Sequence, residues 1–330
     1  MRLVDPTFGA RLRELRQARG LSLRELAQLA YVSKSMISEW ENGRRRPSLD
    51  LASVLDAALE AGGALASLVT EVTPDAETAD RIAHGIASPS LIDAGHVEAL
   101  GGTLAQLRRL DDSLPTAALL PAVEGHLATM EILARDARGP AARELRLVAV
   151  GFGQFTGWLH SQLRNDKRAQ SLLSTAARDA VALDAPDLAS QTHGFRGALE
   201  RRKGSAMGIA RWFTTAYETP GISDLHRADA AYKAVHGLGL LRDRRGAAEL
   251  LASADDLTAA LPDDAASPVA YWLNPSWLRL SGGLAHLGIG NYRQAAESLR
   301  AGLDAMPDGW QNAEWNAEYL DALTAASERV

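Results

Sequence analysis

The one run of three consecutive arginines in this sequence is Arg44, Arg45 and Arg46. Guanidinium groups in such a run hold phosphates or enter a minor groove, although a solvated loop would have the same composition. The surrounding segment, residues 1–50, contains ten Lys or Arg and six Asp or Glu, a balance of +4. Because the whole chain of 330 residues carries −6, the remainder carries −10. A basic head on an acidic body indicates that the head meets a polyanion and the body does not.

Residue types that support catalysis or metal binding are scattered along the chain. The eight histidines form no HExxH pattern, and the lack of cysteine excludes disulfides, iron–sulfur clusters and thiolate zinc sites. Gly151, Gly153 and Gly157 loosely suggest a phosphate-binding loop, but no strand pattern precedes them and their spacing suits helix packing. We therefore predict that the chain is not an enzyme and takes no cofactor or metal.

The hydrophobic pattern indicates neither a membrane span nor an export signal. No apolar run approaches the roughly 18 residues of a membrane span. The first twenty residues contain arginines at helical spacing and lack an apolar stretch of signal-peptide length. The prediction is a cytoplasmic chain with no membrane partner.

The first 70 residues predict four short helices. Gly20 ends the first helix, and Ser22 with Glu25 three residues later forms a capping box that opens the second. Ser33 is placed to cap the third. About three residues separate the second and third helices, which is the spacing of a helix-turn-helix module. Residues 1–70 are therefore predicted to be a helix-turn-helix DNA-binding domain.

Beyond this module the pattern is helical almost throughout, so we predict an all-α fold. Residues 71–89 have two prolines and scattered acids and predict a linker, and residues 90–140 predict connecting helices. In residues 141–330, small, large and small side chains recur at offsets of four and seven, first at Ala169. Small residues at these offsets let neighbouring helices approach, which predicts an α-solenoid of stacked helical hairpins that curves into a groove.

The stretch LSLRELAQLAYVSKSMISEWENGRRRPS, residues 21–48, resembles the helix-turn-helix of the XRE family of phage-repressor-like domains. The small Ala27 and the Trp-Glu-Asn-Gly sequence that begins at Trp40 are in register with the family pattern. Residues 141–330 resemble the tetratricopeptide-like repeat domain that actinobacterial XRE regulators carry. One position departs from the pattern, because Tyr31 stands where a glycine is usual, and a positive φ there would strain it.

The resemblance implies how the head would contact double-stranded DNA. The third helix would enter the major groove, where Lys34 donates to guanine and Glu39 accepts from cytosine. A solvated polar face is the alternative for these side chains. The residues that the resemblance places at base edges are Ser33, Lys34, Ser35, Ser38 and Glu39. Those that it places at the backbone or minor groove are Ser22, Leu23, Asn42, Arg44, Arg45 and Arg46. One module is small for an operator, so we expect a homodimer that reads two half-sites.

The resemblance also implies an effector groove. The first helices of such hairpins line the concave side, where related regulators hold peptides or small ligands. An alternative is that the same side chains simply belong to the core or the surface. The candidate groove residues are Trp158, His193, Arg196, Tyr232, His236 and Trp277.

These observations predict a sequence-specific DNA-binding transcriptional regulator. Its repeat domain would mediate dimerisation and bind a peptide, small-molecule or protein effector. The alternative is a protein-interaction adaptor that uses the repeat groove and whose head binds no specific DNA. Glu39 and Glu41 give the alternative some weight, because carboxylates near the reading face repel phosphate.

Overall fold

The fold is all-α, as predicted, apart from one short ribbon of two strands. The computed structural model describes residues 2–4, 7–45, 47–71, 92–307, 310–311 and 313–330. The predicted linker, residues 71–89, lies outside the described residues except for residue 71.

Four helices form the head. Their bounds are α1 Phe8–Ala18, α2 Leu23–Leu29, α3 Lys34–Glu41 and α4 Leu49–Leu59. A 3-10 turn, Ala66–Leu68, leads into strand β2, Val69–Glu71, which pairs antiparallel with β1, Arg2–Val4. The head has a hydrophobic core of its own, centred on the fully buried Trp40, Leu12, Leu26 and Ile37.

Eleven further helices are described in the body. They are α5 Ala94–Leu110, α6 Thr116–Asp136, α7 Ala142–Gln162, α8 Asp166–Ala182, α9 Pro186–Arg202, α10 Ala206–Tyr217, α11 Asp224–Leu240, α12 Arg244–Ala260, α13 Pro275–Gly288, α14 Tyr292–Asp304 and α15 Ala317–Ser327. Helices α7 to α14 form four antiparallel hairpins, and each hairpin packs on the next. A 3-10 turn, Glu314–Asn316, precedes α15.

Local side-chain signals set the helix boundaries of the head. Ser22 accepts a hydrogen bond from the Glu25 N–H while the Glu25 carboxylate accepts from the Ser22 N–H, which confirms the predicted capping box. Ser33 caps α3 through the Met36 N–H. Tyr31 adopts the left-handed conformation, with φ of 53°, and its side chain is 95% exposed. This conformation costs a non-glycine residue about 1 kcal/mol, and no packing of the ring offsets it.

A buried carboxylate joins the first and third helices of the head. The Glu41 side chain is only 4% exposed and accepts hydrogen bonds from Arg16 Nε at 2.6 Å and from Arg13 Nε at 3.2 Å. Arg16 also donates to the Leu21 carbonyl, so it fixes the loop that follows α1. The Glu41 hydrogen bond raises the pKa of Arg16. Glu41 therefore has a structural role at the base of α3.

Glycines permit close packing inside the hairpins. A Cβ added to Gly157 would lie 2.8 Å from the Leu173 side chain, and one added to Gly283 would lie 2.5 Å from that of Leu299. Gly197 meets the Phe213 ring in the same way. In each case the glycine of the first helix faces a large residue sixteen positions later in the second. The small and large pattern of the sequence is thus a helix-to-helix contact that repeats along the body.

The C-terminal segment crosses the curved body and closes it. Glu314 accepts a hydrogen bond from the Thr116 N–H at 3.2 Å, and the Trp315 indole donates to Asp112 at 3.3 Å. Arg201 donates two hydrogen bonds to Glu318, at 2.5 and 3.1 Å, and both partners are largely buried. These contacts join positions 117 to 203 residues apart, so the C-terminal segment meets both the junction of α5 with α6 and helix α9.

Helix α6 is the one described helix that is long and apolar enough to cross a membrane by length and composition. This differs from the expectation that no segment reaches that length. Pro121 lies inside the helix, and one side of it packs in the core formed with α5 and α7, where Leu119, Val123 and Met130 are buried. In the structure α6 is therefore a core helix of the body.

A second buried carboxylate lies in the body. Asp111 is 7% exposed, and the Trp158 indole donates to it at 2.8 Å. Burial raises the pKa of Asp111 to about 7, further raised by the neighbouring Asp112 and opposed by the indole hydrogen bond. No salt bridge joins Asp111 to a cation among the residues that the structure describes. The body thus holds a carboxylate that is only partly ionised at neutral pH.

Replacing Glu41 with Gln is expected to destabilise the head by about 1–2 kcal/mol, because the buried position would lose its charge while the partly buried guanidinium of Arg16 loses its charged partner. Amide hydrogen exchange of peptides from residues 7–69, measured on the full chain, would show the loss as faster opening of α1 and α3.

The matched control is Glu14→Gln, which breaks an ion pair with Arg11 between largely exposed side chains. An exposed pair contributes little, so this change should cost at most about 0.5 kcal/mol. Equal effects of the two variants would contradict the structural role assigned to Glu41.

Replacing Asp111 with Asn should stabilise the chain progressively as the pH rises. The unfolded chain ionises this carboxyl near pH 3.8, whereas the folded chain holds its proton to about pH 7, so between these values ionisation favours unfolding. The asparagine keeps an oxygen for the Trp158 indole and has no charge to bury. Relative to wild type, its free energy of unfolding should rise by about 3–4 kcal/mol between pH 4 and pH 8, at 1.4 kcal/mol per pKa unit.

Urea unfolding followed by tryptophan fluorescence measures this difference at each pH. Six of the seven tryptophans belong to residues 158–315, so the signal reports the body. A difference between Asp111→Asn and wild type that stays constant with pH would refute the burial of an ionisable group there.

Candidate functional site

The exposed face of α3 presents the predicted base-reading residues. Ser33, Lys34 and Ser35 lie exposed at the start of the helix, and Ser38 and Glu39 follow as half-exposed residues one turn later. The opposite face holds the buried Ile37 and Trp40, so packing against the head core fixes which face is free.

The hydroxyls of this face have partners within the head. Ser33 Oγ accepts from the Met36 N–H at 3.2 Å and lies 2.8 Å from Ser35 Oγ. A serine hydroxyl has one donor and two acceptor positions, so both retain capacity for a further hydrogen bond. Lys34 has no ion pair within the described residues, and its ammonium extends from the first turn of α3. Among the head residues that the structure describes, Lys34 is therefore the one cation on this face of α3 that is free to contact another molecule.

Glu39 has a cationic neighbour. Arg45 Nη1 lies 3.7 Å from the Glu39 carboxylate, and both side chains are about half exposed. A contact this long between exposed groups is weak and is screened by salt. The Arg45 charge nevertheless reduces the negative potential that Glu39 creates on the reading face. That negative potential was the feature that gave weight to the adaptor alternative.

The predicted phosphate contacts differ in availability. Arg44 and Arg45 are exposed in the loop after α3, and Arg46 lies outside the described residues. At the start of α2, the capping box already bonds the N–H groups of Ser22 and Glu25, and Leu23 supplies the next backbone N–H of that terminus. Hydrogen bonding to the Ser22 backbone lowers the pKa of Glu25 and so keeps a negative charge near this terminus.

Asn42 is exposed, but its side chain is hydrogen-bonded within the head. Its amide donates to the Ser38 carbonyl at 2.7 Å, and its oxygen accepts from Arg13 Nη2 at 3.0 Å. The side chain thus closes the end of α3 and links it to α1. The resemblance placed this amide at the DNA backbone, but in the structure both of its polar atoms already have protein partners.

A second candidate site is a cavity of about 100 Å³ inside the curve of the body. Its walls come from the first helices of all four hairpins, from α10, the end of α5, the loop before α13 and the C-terminal segment. Trp158, Phe195 and Trp272 stack in series, with ring centroids 5.0 and 6.2 Å apart. The aromatic lining residues are Phe155, Trp158, Phe195, Phe213, Tyr271, Trp272, Trp277, Trp315 and Tyr319.

Charged groups also line this cavity, mostly in bonded pairs. Besides the Arg201–Glu318 pair, Lys233 lies 2.7 Å from Asp229, which also accepts from Ser281. Burial lowers the pKa of Arg108 to about 10, so Arg108 remains charged at neutral pH; it donates to Gln154 Oε1 at 2.7 Å. Burial alone would raise the pKa of Glu318, but the Arg201 charge outweighs it and leaves that pKa lowered.

Two of the six predicted groove residues, Trp158 and Trp277, line the cavity. The other four lie elsewhere. His193 stacks on Trp212 at 5.9 Å, and the Arg196 guanidinium lies 3.3 Å from the centre of the same ring, on α10. The sequence placed both on the concave side, but they face the second helix of their own hairpin.

Tyr232 and His236 belong to packing within the body. The Tyr232 hydroxyl donates to Asp255 at 2.8 Å across its hairpin, and burial raises its pKa to about 12. His236 is buried where α11 meets α13, and burial, together with the Arg201 charge, lowers its pKa to about 4. Burial likewise lowers the pKa of His193 to about 4, so both imidazoles are neutral at pH 7.

No local pattern in the sequence predicts most of the cavity wall. Arg108, Asp111, Arg201 and Lys233 read as ordinary charges on helical faces, and they meet only because the body curves and closes. The i, i+3, i+4 spacing of Gln191, Gly194 and Phe195 is the one local pattern that would have placed a face of α9 on the cavity.

Comparison with known proteins bears on the head. Residues 7–69 match a family model described as a helix-turn-helix domain. The HTH-type transcriptional regulator DdrOP3 of Deinococcus deserti is 52% identical over 40 residues. That match covers 12% of this chain and 31% of the length of DdrOP3, so it concerns one domain only.

One solved structure is similar over most of the chain. It is the crystal structure of Bacillus thuringiensis PlcR in complex with the peptide PapR7 and DNA, at 14% identity, with 98% of this chain and 94% of PlcR covered. The TM-score is 0.31, which is too low to establish a common fold. The domain match and the geometry of α2 and α3 agree that residues 7–69 form a helix-turn-helix domain.

Proposed function

We propose that this protein is a sequence-specific DNA-binding transcriptional regulator. The observation that carries the proposal is the free Lys34 ammonium at the start of α3. Helix α3 is the second helix of the helix-turn-helix motif, and its polar face is exposed. In such domains the N-terminal residues of this helix reach base edges in the major groove. The relation of the head to a transcriptional regulator from Deinococcus deserti supports the same function.

The proposed contacts follow from the hydrogen-bond donors and acceptors that each side chain has available. Lys34 donates to guanine, Glu39 accepts from cytosine, and the hydroxyls of Ser33, Ser35 and Ser38 adapt to either kind of group. Arg44 and Arg45, with Arg46, hold the flanking phosphates or enter the minor groove, and the α2 terminus at Ser22 and Leu23 adds a backbone contact. Asn42 supports α3 from within the head.

We assign the head to the XRE subfamily and the body to tetratricopeptide-like repeats of the actinobacterial type. The proposed division is a DNA-binding domain at 1–70, a linker at 71–89, connecting helices at 90–140 and a sensor and dimerisation domain at 141–330. The net charge of −10 outside the first 50 residues supports it, because an acidic body stays off the DNA that the head binds. The protein acts in the cytoplasm as a homodimer on two half-sites, and its body responds to an effector.

Replacing Lys34 with Ala is expected to relax sequence preference. A lysine that reads guanine contributes about 1–3 kcal/mol of discrimination, so affinity for the preferred site should fall while affinity for random DNA changes little. Selection of binding sites from a random DNA pool, followed by titration of preferred and scrambled duplexes at fixed salt, measures this directly. An unchanged ratio of the two affinities would remove Lys34 from the reading face.

Replacing Arg45 with Ala should weaken binding to all DNA sequences about equally. Loss of one phosphate contact should reduce the slope of log affinity against log salt by about 1. Arg245→Ala is the matched control, since it removes an exposed arginine from the body, where it pairs only with Glu249.

The control should leave DNA affinity unchanged. Failure of the wild-type chain to bind any duplex at low salt would overturn the proposed function and leave the adaptor alternative.

A further inference from the structure

We propose that the cavity inside the body binds a compact aromatic molecule that carries an acceptor oxygen, either a carbonyl or a carboxylate. This inference deepens the effector part of the proposed function, because it names the chemical class of the ligand. It rests on the size of the cavity, the nature of its walls and the balance of unpaired donors and acceptors along them.

The volume of the cavity and the shape of its walls indicate the apolar part of the ligand. A volume of about 100 Å³ has room for roughly seven to ten waters, which matches one aromatic ring with a small substituent. The stacked rings of Trp158, Phe195 and Trp272 form a flat apolar wall. A planar ring is the shape that packs against such a wall with most contact.

The numbers of unpaired donors and acceptors on the cavity wall indicate the polar group of the ligand. Three N–H donors on wall residues are buried and have no partner among the described residues: Arg201 Nη1, Gln191 Nε2 and Trp277 Nε1. Most carboxylate oxygens of the wall already accept a hydrogen bond: those of Asp112 from Tyr271 and Trp315, those of Asp229 from Lys233 and Ser281, and those of Glu318 from Arg201. Asp111 Oδ2 accepts from Trp158, which leaves Asp111 Oδ1 as the one carboxylate oxygen of the wall without a bond among the described residues. A buried donor without a partner is unfavourable, so three such donors against one free carboxylate oxygen leave the wall short of acceptors.

The charged groups argue against a cationic ligand. Arg201 and Lys233 already neutralise Glu318 and Asp229 as close pairs, and Arg108 adds a further buried cation. The wall holds these three cations and four carboxylates, but Asp111 Oδ1 is the one carboxylate oxygen without a hydrogen bond among the described residues, so a protonated amine would find a single free carboxylate oxygen. An oxygen acceptor instead meets the unpaired guanidinium N–H of Arg201 and the indole N–H of Trp277 with no carboxylate to displace.

Four one-ring probes test the inference on the full chain: benzamide, benzoate, benzylamine and toluene. NMR titration of each probe should give benzamide or benzoate a Kd at or below about 1 mM, with benzylamine and toluene at least tenfold weaker. Tighter binding of benzoate would identify a charged acceptor, and tighter binding of benzamide a neutral one. Equal affinity for all four probes, no binding of either acceptor probe, or tightest binding of benzylamine would overturn the inference.

Two variants test the donors separately. Trp277→Phe keeps an aromatic ring without the N–H, and Gln191→Leu removes the amide at nearly constant volume. Each should weaken the preferred acceptor probe about fivefold, the usual effect of one neutral hydrogen bond, and should leave toluene unchanged. Trp212→Phe is the control, because Trp212 stacks with Arg196 outside the cavity wall. If both variants keep the wild-type melting temperature and the wild-type probe affinity, these donors do not recognise the ligand.

The probe titrations are done without DNA, so the two proposals fail separately. A chain that binds benzamide but no duplex would overturn the proposed regulator and support the ligand site. A chain that binds duplex DNA but no acceptor probe would overturn the ligand site and support the regulator.

Discussion

The buried ion pair between Arg201 and Glu318 is the contact on which the form of the body depends. It joins the second hairpin to the last helix, across 117 positions of sequence. In the same C-terminal segment the rings of Trp315 and Tyr319 pack on Trp277, each with a centroid distance of 5.6 Å. With the ion pair, and with the hydrogen bonds from Thr116 and Trp315, the curve closes around a small cavity. The same pair holds two charges away from solvent, which is tolerable only because the hydrogen bonds are bidentate.

The head depends on a different constraint, the burial of Glu41 beneath the reading helix. The two arginines that bond it come from α1, so the orientation of α3 is fixed from behind and its outer face needs no internal contact to hold it. This arrangement leaves Lys34 and the serines free for a partner. Glu39 and Glu41 both counted against DNA binding in the sequence. In the structure Glu41 turns away from the reading face, whereas Glu39 lies on that face and has Arg45 beside it.

Local signals in the sequence predicted the head well, and non-local contacts limited what could be predicted of the body. Ser22, Glu25 and Ser33 act on N–H groups within three residues, so their effect is visible in sequence spacing. The cavity unites residues from Arg108 to Tyr319, and no local pattern encodes which helical faces meet after the chain has curved. Spacing alone therefore placed His193 and His236 on the concave side, although each packs against another helix.

The closing segment also has a consequence for the order of folding during synthesis. The head has its own core and is complete once residue 71 has emerged, so it can fold early. The ring of aromatic residues in the body stays uncovered until residues 310–319 leave the ribosome, some 240 residues later. A nascent chain of this protein thus passes through a long stage in which its head is ready to bind nucleic acid while its body still exposes an apolar surface to chaperones.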